Sequence, residues 1–226
     1  MVALVDADIL CYRAAYSTEG MLPEDAADKF DELLGYVEDR LTFDGQPVEL
    51  FLTGTGNFRY DIAKSYPYKG NRRDTAKPEH LAYLRDYVAS ELGAEVSEGE
   101  EADDLIAIRA TELFPNGIIC SIDKDFDQVP GWHYNQRKDS LYWITETEGL
   151  VFFYTQILTG DRADNIVGLK GIGPAKAAKI LGESTEEVEL YDKVLEAYGG
   201  REDYVIENAR LLWLRREKGQ MWQSPK

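Results

Sequence analysis

Apolar and polar positions alternate between two periods along this chain. Val2–Val5 is a short apolar run that stops at Asp6, the pattern of a buried parallel strand. Ile9 to Tyr16 reads as a helix. Glu24 to Leu41 places Ala27, Phe30, Leu33, Leu34, Val37 and Leu41 at helical spacing. Val48–Leu52 predicts a second strand, broken by Gly54-Thr55-Gly56. Pro78 is expected at the first turn of a helix running through Leu81, Leu84, Tyr87 and Val88. Glu95–Ser97 predicts a short strand, Ala102 to Phe114 a helix, and Gly117–Ile122 an apolar strand. Strands alternating with helices predict an α/β fold with a mostly parallel central sheet and flanking helices. From about Phe153 onward the segments read as helices joined by Gly-containing turns. The expected division is an α/β core over 1–155 and a helical, nucleic-acid-binding subdomain over 156–226 packed on it.

Composition then narrows the classes. A chain of 226 residues, 44% hydrophobic, can bury a sizeable core. It has no apolar run of the ~20 residues a membrane helix needs. Its first residues lack the basic segment of a signal peptide. Cys11 and Cys120, both in apolar segments, are expected to be reduced core residues, which points to a cytoplasmic, membrane-free protein. The formal net charge is −17, which argues against a general affinity for nucleic acid. Two features oppose that argument. Bound cations would neutralise clustered acids, and the bases are themselves clustered: Lys64, Lys69, Arg72, Arg73 and Lys77, then Lys170, Lys176 and Lys179.

The acids fall in four places. Asp6, with Asp8 close behind, ends the first strand; active sites of open α/β sheets form beyond such ends. Glu101-Ala102-Asp103-Asp104 opens a helix. Asp123 and Asp125 follow the Gly117–Ile122 strand, and Asp161 and Asp164 are spaced to share a helical face. Helix capping explains the first two groups when each is taken alone. Two strand ends and two helix starts can, however, converge on one cleft. Oxygen-only donors select hard cations such as Mg²⁺ or Mn²⁺; zinc is disfavoured, with only His80 and His133 and no paired cysteines. Two ions ~3.5–4 Å apart would clamp the attacking and leaving oxygens of a phosphodiester.

The bases have matching chemistry. Gly168-Leu169-Lys170-Gly171-Ile172-Gly173-Pro174-Ala175-Lys176 followed by Lys179 reads as a helix–hairpin–helix phosphate site. Its glycines would let backbone N–H groups reach a phosphate, and its carbonyls suit a K⁺ ion. Tyr68-Lys69-Gly70-Asn71-Arg72-Arg73 joins an aromatic that could stack on a base to bases that could steady a phosphate. A solvated basic loop accounts for this last segment equally well.

Together these residues resemble the flap endonuclease and 5′→3′ exonuclease family in its compact bacteriophage and bacterial forms. That family includes the nuclease domain of bacterial DNA polymerase I. The matching pieces run in family order from residue 4 to about 180. They are Leu4-Val5-Asp6 with Tyr12-Arg13-Ala14, Phe58-Arg59, Tyr68 to Arg72, Glu101 to Asp104, Ser121 to Asp127, Gly160-Asp161 to Asp164-Asn165, and Gly168 to Lys176. The resemblance implies a PIN-like 5′-nuclease sheet with a helix–three-turn–helix element. It implies removal of nucleotides or flaps from DNA 5′ ends or nicks by two-metal catalysis. Asp6, Glu101, Asp103, Asp104, Asp123, Asp125, Asp161 and Asp164 would be ligands or supporting acids, and Lys69 and Arg72 would sit on a gateway helix. Tyr68, Arg73, Lys170, Gly171, Gly173, Lys176 and Lys179 would face DNA. The chain is expected to act as a monomer. Other readings are a PIN-like or RNase H-like ribonuclease acting on RNA 5′ ends or RNA–DNA hybrids, and a non-catalytic DNA-structure binder. Two departures matter. Leu52 to Asn57 lacks the acid the family carries there, which Asp8 could replace, and the stretch from Arg72 to Glu101 is too short for a long arch.

Overall fold

The computed structural model describes residues 1–41, 47–72 and 75–225. Two compact units interleave along the chain. The first comprises Met1–Gly56, Ala76–Phe126 and Gly131–Trp143; the second comprises Asn57–Thr75, Asp127–Pro130 and Ile144–Lys226. A single cut after residue 155 would pass through one continuous helix, Glu146–Thr159, that belongs to the second unit.

In the first unit the chain runs β1 (Val2–Asp6), α1 (Ala7–Ser17), α2 (Pro23–Leu41) and β2 (Val48–Thr55). The second unit takes α3 (Arg59–Ile62), after which the first resumes with α4 (Leu81–Ser90), β3 (Glu95–Glu98), α5 (Ala102–Leu113) and β4 (Gly117–Cys120). It ends with β5 (Gly131–Asn135) and β6 (Ser140–Ile144). Among the described residues these six strands form one sheet in the order β3-β2-β1-β4-β5-β6. β1 is parallel to β2 and β4, β2 to β3, and β4 to β5. The four residues between β5 and β6 are too few for a crossover, so that pair closes as a hairpin. The mostly parallel α/β sheet is thus as the hydrophobic pattern predicted. Ala3 and Val5 join Leu50, Leu52, Ile118 and Cys120 against the apolar faces of α1, α2 and α4. α5 packs on the strands β1, β2 and β4, burying Ala102, Ile106, Ala107 and Ala110. Burial on both faces is why the central strands read as continuous apolar runs.

Element ends differ from the predicted ones for local reasons. β2 continues through Gly54 because an added Cβ there would lie 2.0 Å from the Ser97 carbonyl: the glycine admits close strand contact rather than breaking it. α4 starts at Leu81, not at Pro78. The Pro78 carbonyl accepts the Leu81 N–H at 3.2 Å, so a separate turn precedes the helix. β4 ends at Cys120, where Ser121 turns its hydroxyl back toward β1.

The second unit continues with α6 (Glu146–Thr159), β7 (Gly160–Asp161), β8 (Ile166–Val167), α7 (Pro174–Leu181), α8 (Glu187–Ala197) and α9 (Glu202–Leu212). Its core gathers Phe153, Tyr154 and Ile157 from α6, Leu181 from α7, Tyr191 from α8 and Val205 from α9. Gly160, at φ +71°, and Gly168 allow β7 and β8 to pair closely; a Cβ on either would come within 2.4 Å of backbone. Phe58-Arg59 has a structural task. The buried Arg59 guanidinium donates to the Leu211 and Trp213 carbonyls at 2.9 and 2.8 Å, tying α3 to the end of α9. Among the described residues no helix is long and apolar enough to cross a membrane.

Candidate active site

In the first unit, β1 has β2 on one side and β4 on the other, so strand order reverses between β1 and β4. Crevices beyond the carboxyl ends of strands at such a reversal are where open sheets hold ligands. Asp6 lies there, only 3% exposed. One carboxylate oxygen caps α1 by accepting the Ile9 N–H at 3.2 Å, and the other accepts the Ser121 hydroxyl at 2.9 Å. Asp6 is therefore the helix cap that local reasoning allowed, and it is more than that. Burial, reinforced by the Asp8 carboxylate and further by Asp123, pushes the Asp6 carboxyl up to about 7. Asp123 is exposed. Its amide donates to the Ser121 hydroxyl at 3.0 Å, and its carboxylate accepts the Asp125 amide at 2.9 Å. Ser121 thus bridges the ends of β1 and β4.

At the start of α5, the Asp104 carboxylate is fully buried and accepts the Glu101 amide at 3.2 Å, half of a capping box. Asp103 lies in the same first turn and is partly exposed. Asp125 pairs with the neighbouring Lys124 ammonium at 2.7 Å. Thr53, at the carboxyl end of β2, organises this region: its hydroxyl accepts the Ala102 amide at 3.0 Å and its own amide donates to Asp8 at 2.8 Å. The Arg85 guanidinium, from α4, reaches both Asp8 and the Thr53 carbonyl.

The electrostatics of this end fit a cation. Burial first, and the neighbouring carboxylates after it, raise the Asp6 carboxyl, and a bound cation would oppose both. Among the described residues no three His, Cys, Asp or Glu side chains gather tightly enough to grip one ion.

In the second unit, Asp161 is buried, and its carboxylate accepts the Ala163 and Asp164 amides at 2.7 and 3.2 Å. Asp164 is surrounded by donors: Arg72 at 2.9 Å, Lys69 at 3.9 Å and the Tyr68 hydroxyl at 2.8 Å. Arg72 also donates to the Ala163 carbonyl at 2.7 Å. Two expectations change here. Tyr68 is only 3% exposed and packs edge-on against Tyr60, so its ring cannot stack on a base; its apolar body was worth more in the core, with the phenol satisfied by Asp164. Lys69 and Arg72 are not on a helix proper. Lys69 has φ +51°, and Gly70–Arg72 is a single 3₁₀ turn. Arg73 lies outside the described residues.

The turn between β8 and α7 has Gly171 at φ +77° and Gly173 at the helix N-cap, with Pro174 in the first helical turn. Lys170, Lys176 and Lys179 are exposed, and the Lys176 ammonium donates to the Gly171 carbonyl at 2.8 Å.

No family model matches the chain. The thermostable DNA polymerase I of Thermus aquaticus is 30% identical over 201 residues, 80% of this chain and 24% of that protein. The flap endonuclease Xni of Shewanella sediminis is 34% identical over 128 residues, 50% of each. This chain is a relative of the flap endonuclease and 5′→3′ exonuclease family. It spans half or less of the length of these curated relatives. The fold agrees: the bacteriophage T5 flap endonuclease, in a pseudo-enzyme–product complex with DNA and metal ions, matches with a TM-score of 0.70 at 20% identity, over 93% of this chain and 88% of that one.

Within the first unit, the predicted acids Asp6 and Asp123 are joined through Ser121, while Glu101 and Asp104 are joined in a cap. Thr53, Arg85 and the bridging role of Ser121 were not expected. Ser121 stood inside a recognised motif and could have been found. Arg85 stands 77 residues from Asp8 on an unremarked helix face, with no sequence signal.

Proposed function

We propose that the chain is a divalent-metal-dependent 5′-nuclease that hydrolyses phosphodiester bonds of DNA at 5′ ends, flaps and nicks. The observation that carries this reading is Asp6: a carboxyl buried at the sheet's reversal point, beside Asp8 and Asp123, and driven up by burial and their charge. Kinship with flap endonucleases supports it. Metal ligation is assigned to Asp6, Glu101, Asp103, Asp104, Asp123 and Asp125 in the first unit and to Asp161 and Asp164 in the second, directly or through bound water. The ions, Mg²⁺ or Mn²⁺ and two in number, would when bound supply an activated water and neutralise charge on the phosphate.

The chain's own side chains do the remainder. Ser121 holds Asp6 in place by donating to it at 2.9 Å. Lys69 and Arg72 steady the charge developing on the scissile phosphate, exchanging Asp164 for it. Lys170, Lys176 and Lys179, with the backbone around Gly171 and Gly173 and with Arg73, hold the duplex backbone rather than reading its sequence. The segment 156–226 is assigned that role. A K⁺ ion is also proposed at the carbonyls before α7, where it would compete with the Lys176 ammonium for the Gly171 carbonyl; stronger duplex binding in KCl than in NaCl is the check. The two buried free thiols suit a reducing compartment such as the cytoplasm, and the chain is assigned as a monomer.

The test uses a 5′-flap, a nicked duplex and a blunt duplex, each labelled at either end, and the same 5′ ends made of RNA. Mg²⁺- or Mn²⁺-dependent release of 5′ fragments from DNA is expected, abolished by chelator and by Asp123→Asn. Preferential cleavage of RNA 5′ ends would transfer the reading to a ribonuclease. Tight flap binding with no turnover in Mn²⁺ would reduce it to a structure-specific binder, and chelator-resistant cleavage would end it.

A further inference from the structure

The carboxyl end of β2 carries no acid: Leu52 to Asn57 reads Leu-Thr-Gly-Thr-Gly-Asn. Asp8, in the first turn of α1, reaches it from the side. One Asp8 oxygen accepts the Thr53 amide at 2.8 Å, and the other takes the Arg85 guanidinium. A second guanidinium nitrogen of Arg85 donates to the Thr53 carbonyl. The Asp8 carboxylate and the Thr53 carbonyl therefore form a small oxygen-lined cradle around a positive group that the chain itself provides, while the Thr53 N–H holds the second Asp8 oxygen. The cradle is partly enclosed, with side-chain exposures of 29% for Arg85 and 18% for Asp8. A carboxylate and a backbone carbonyl facing one point are also what a hard divalent cation takes.

We propose that Arg85 is a resident cation: it occupies the place beside Asp8 and Thr53 that a divalent ion would otherwise take, so this end of the sheet holds one fewer metal. Arg85 acts as a positioning residue. Its fork fixes Asp8 against the end of β2 in one geometry, where a metal would bind and leave with concentration and pH. Metal is then excluded from the place beside Asp8, while Asp6 and the other assigned acids remain available to it. The inference rests on the metal-dependent reading above and narrows it.

Metal binding to the full chain separates the two. Mn²⁺ is titrated by calorimetry and counted by paramagnetic resonance for the wild type, Arg85→Lys, Arg85→Gln and the double variant Asp8→Asn/Arg85→Gln, with near-ultraviolet circular dichroism as the check on folding. Arg85→Gln should gain a further Mn²⁺ site, or bind roughly tenfold or more tightly, the scale on which partners around a metal ligand act. Arg85→Lys should stay near the wild-type isotherm, and the double variant should return to it because the new ligand is gone. A folded Arg85→Gln with an unchanged isotherm overturns the proposal. Should Arg85→Gln fail to fold, Asp8→Asn decides: its isotherm should match the wild type, since Asp8 is already engaged, and loss of a Mn²⁺ site overturns the proposal. A wild type that binds no Mn²⁺ at all overturns the metal-dependent reading instead.

Discussion

Asp6 and Asp164 belong to the same sequence pattern, acids expected to bind metal, yet their surroundings are opposite. Asp6, in the first unit, meets a hydroxyl and an amide donor and two carboxylate neighbours among the described residues, and it is driven up to about 7. Asp164, in the second unit, is met by two cationic side chains and a phenol. A carboxylate left without a counter-charge in a buried place stores unfavourable free energy that a cation or a proton can release. One already matched by Lys and Arg stores little. The difference separates a place that asks for an ion from a place that keeps bases waiting, although both are written with the same letters.

Substituting each acid by its amide is the sharpest way to break the comparison. The largest effect is expected on catalysis. Asp6→Asn should lower the single-turnover cleavage rate of a 5′-flap by about 10³-fold, roughly 4 kcal/mol in the barrier; a loss under tenfold would remove Asp6 from the metal-binding assignment.

Stability should move in opposite directions in the two units. The folded-state value of Asp6 is raised, so the unfolded chain releases this proton first as pH increases. Folding stability from this group is therefore full below about 4, declines as pH rises through about 7, and is flat above it. In chelator at pH 8, Asp6→Asn should raise stability by about 2–4 kcal/mol, with the gain fading toward pH 4. A denaturant series at several pH values measures it, and a loss of stability at pH 8 would contradict the surroundings described for Asp6.

Asp164→Asn should instead lower stability by about 1 kcal/mol under the same conditions, because Arg72 is half exposed and its ion pair is screened. Tyr68→Phe should cost about 1–2 kcal/mol by removing the hydrogen bond to the Asp164 carboxylate, with flap affinity unaltered, since a buried ring has no base to stack on. Weaker flap binding by that variant at unchanged stability would restore Tyr68 to the DNA-facing surface. The smallest effect is expected at the hairpin. Lys176→Ala should weaken duplex binding a few-fold and reduce the slope of log affinity against log salt by about one, the signature of one phosphate contact.

Much of this was legible in the chain. The apolar runs Val2–Val5 and Gly117–Ile122 located β1 and β4, and with them the acids that follow, because strand burial is written in contiguous residues. Capping was legible as well: Glu101 and Asp104 do cap α5. Tyr68 was misassigned because an aromatic beside bases looks alike whether its ring faces solvent or a core. The turn after Pro78 was missed because a proline suits a turn as well as a helix start. The Arg59 guanidinium, donating to carbonyls more than 150 residues away, carried no local mark of its burial.

The sequence by itself determined the strand and helix succession, the acids at strand ends and the basic hairpin. Each of these depends on neighbours within a few positions, where periodicity and capping act. Only the tertiary structure decided the electrostatic surroundings of those acids. That depends on which side chains the fold brings within a few ångströms: Ser121 to Asp6, Arg85 to Asp8, and Lys69 and Arg72 to Asp164. Coulomb energy and desolvation are functions of distance in space, and the order of residues along the chain does not encode them.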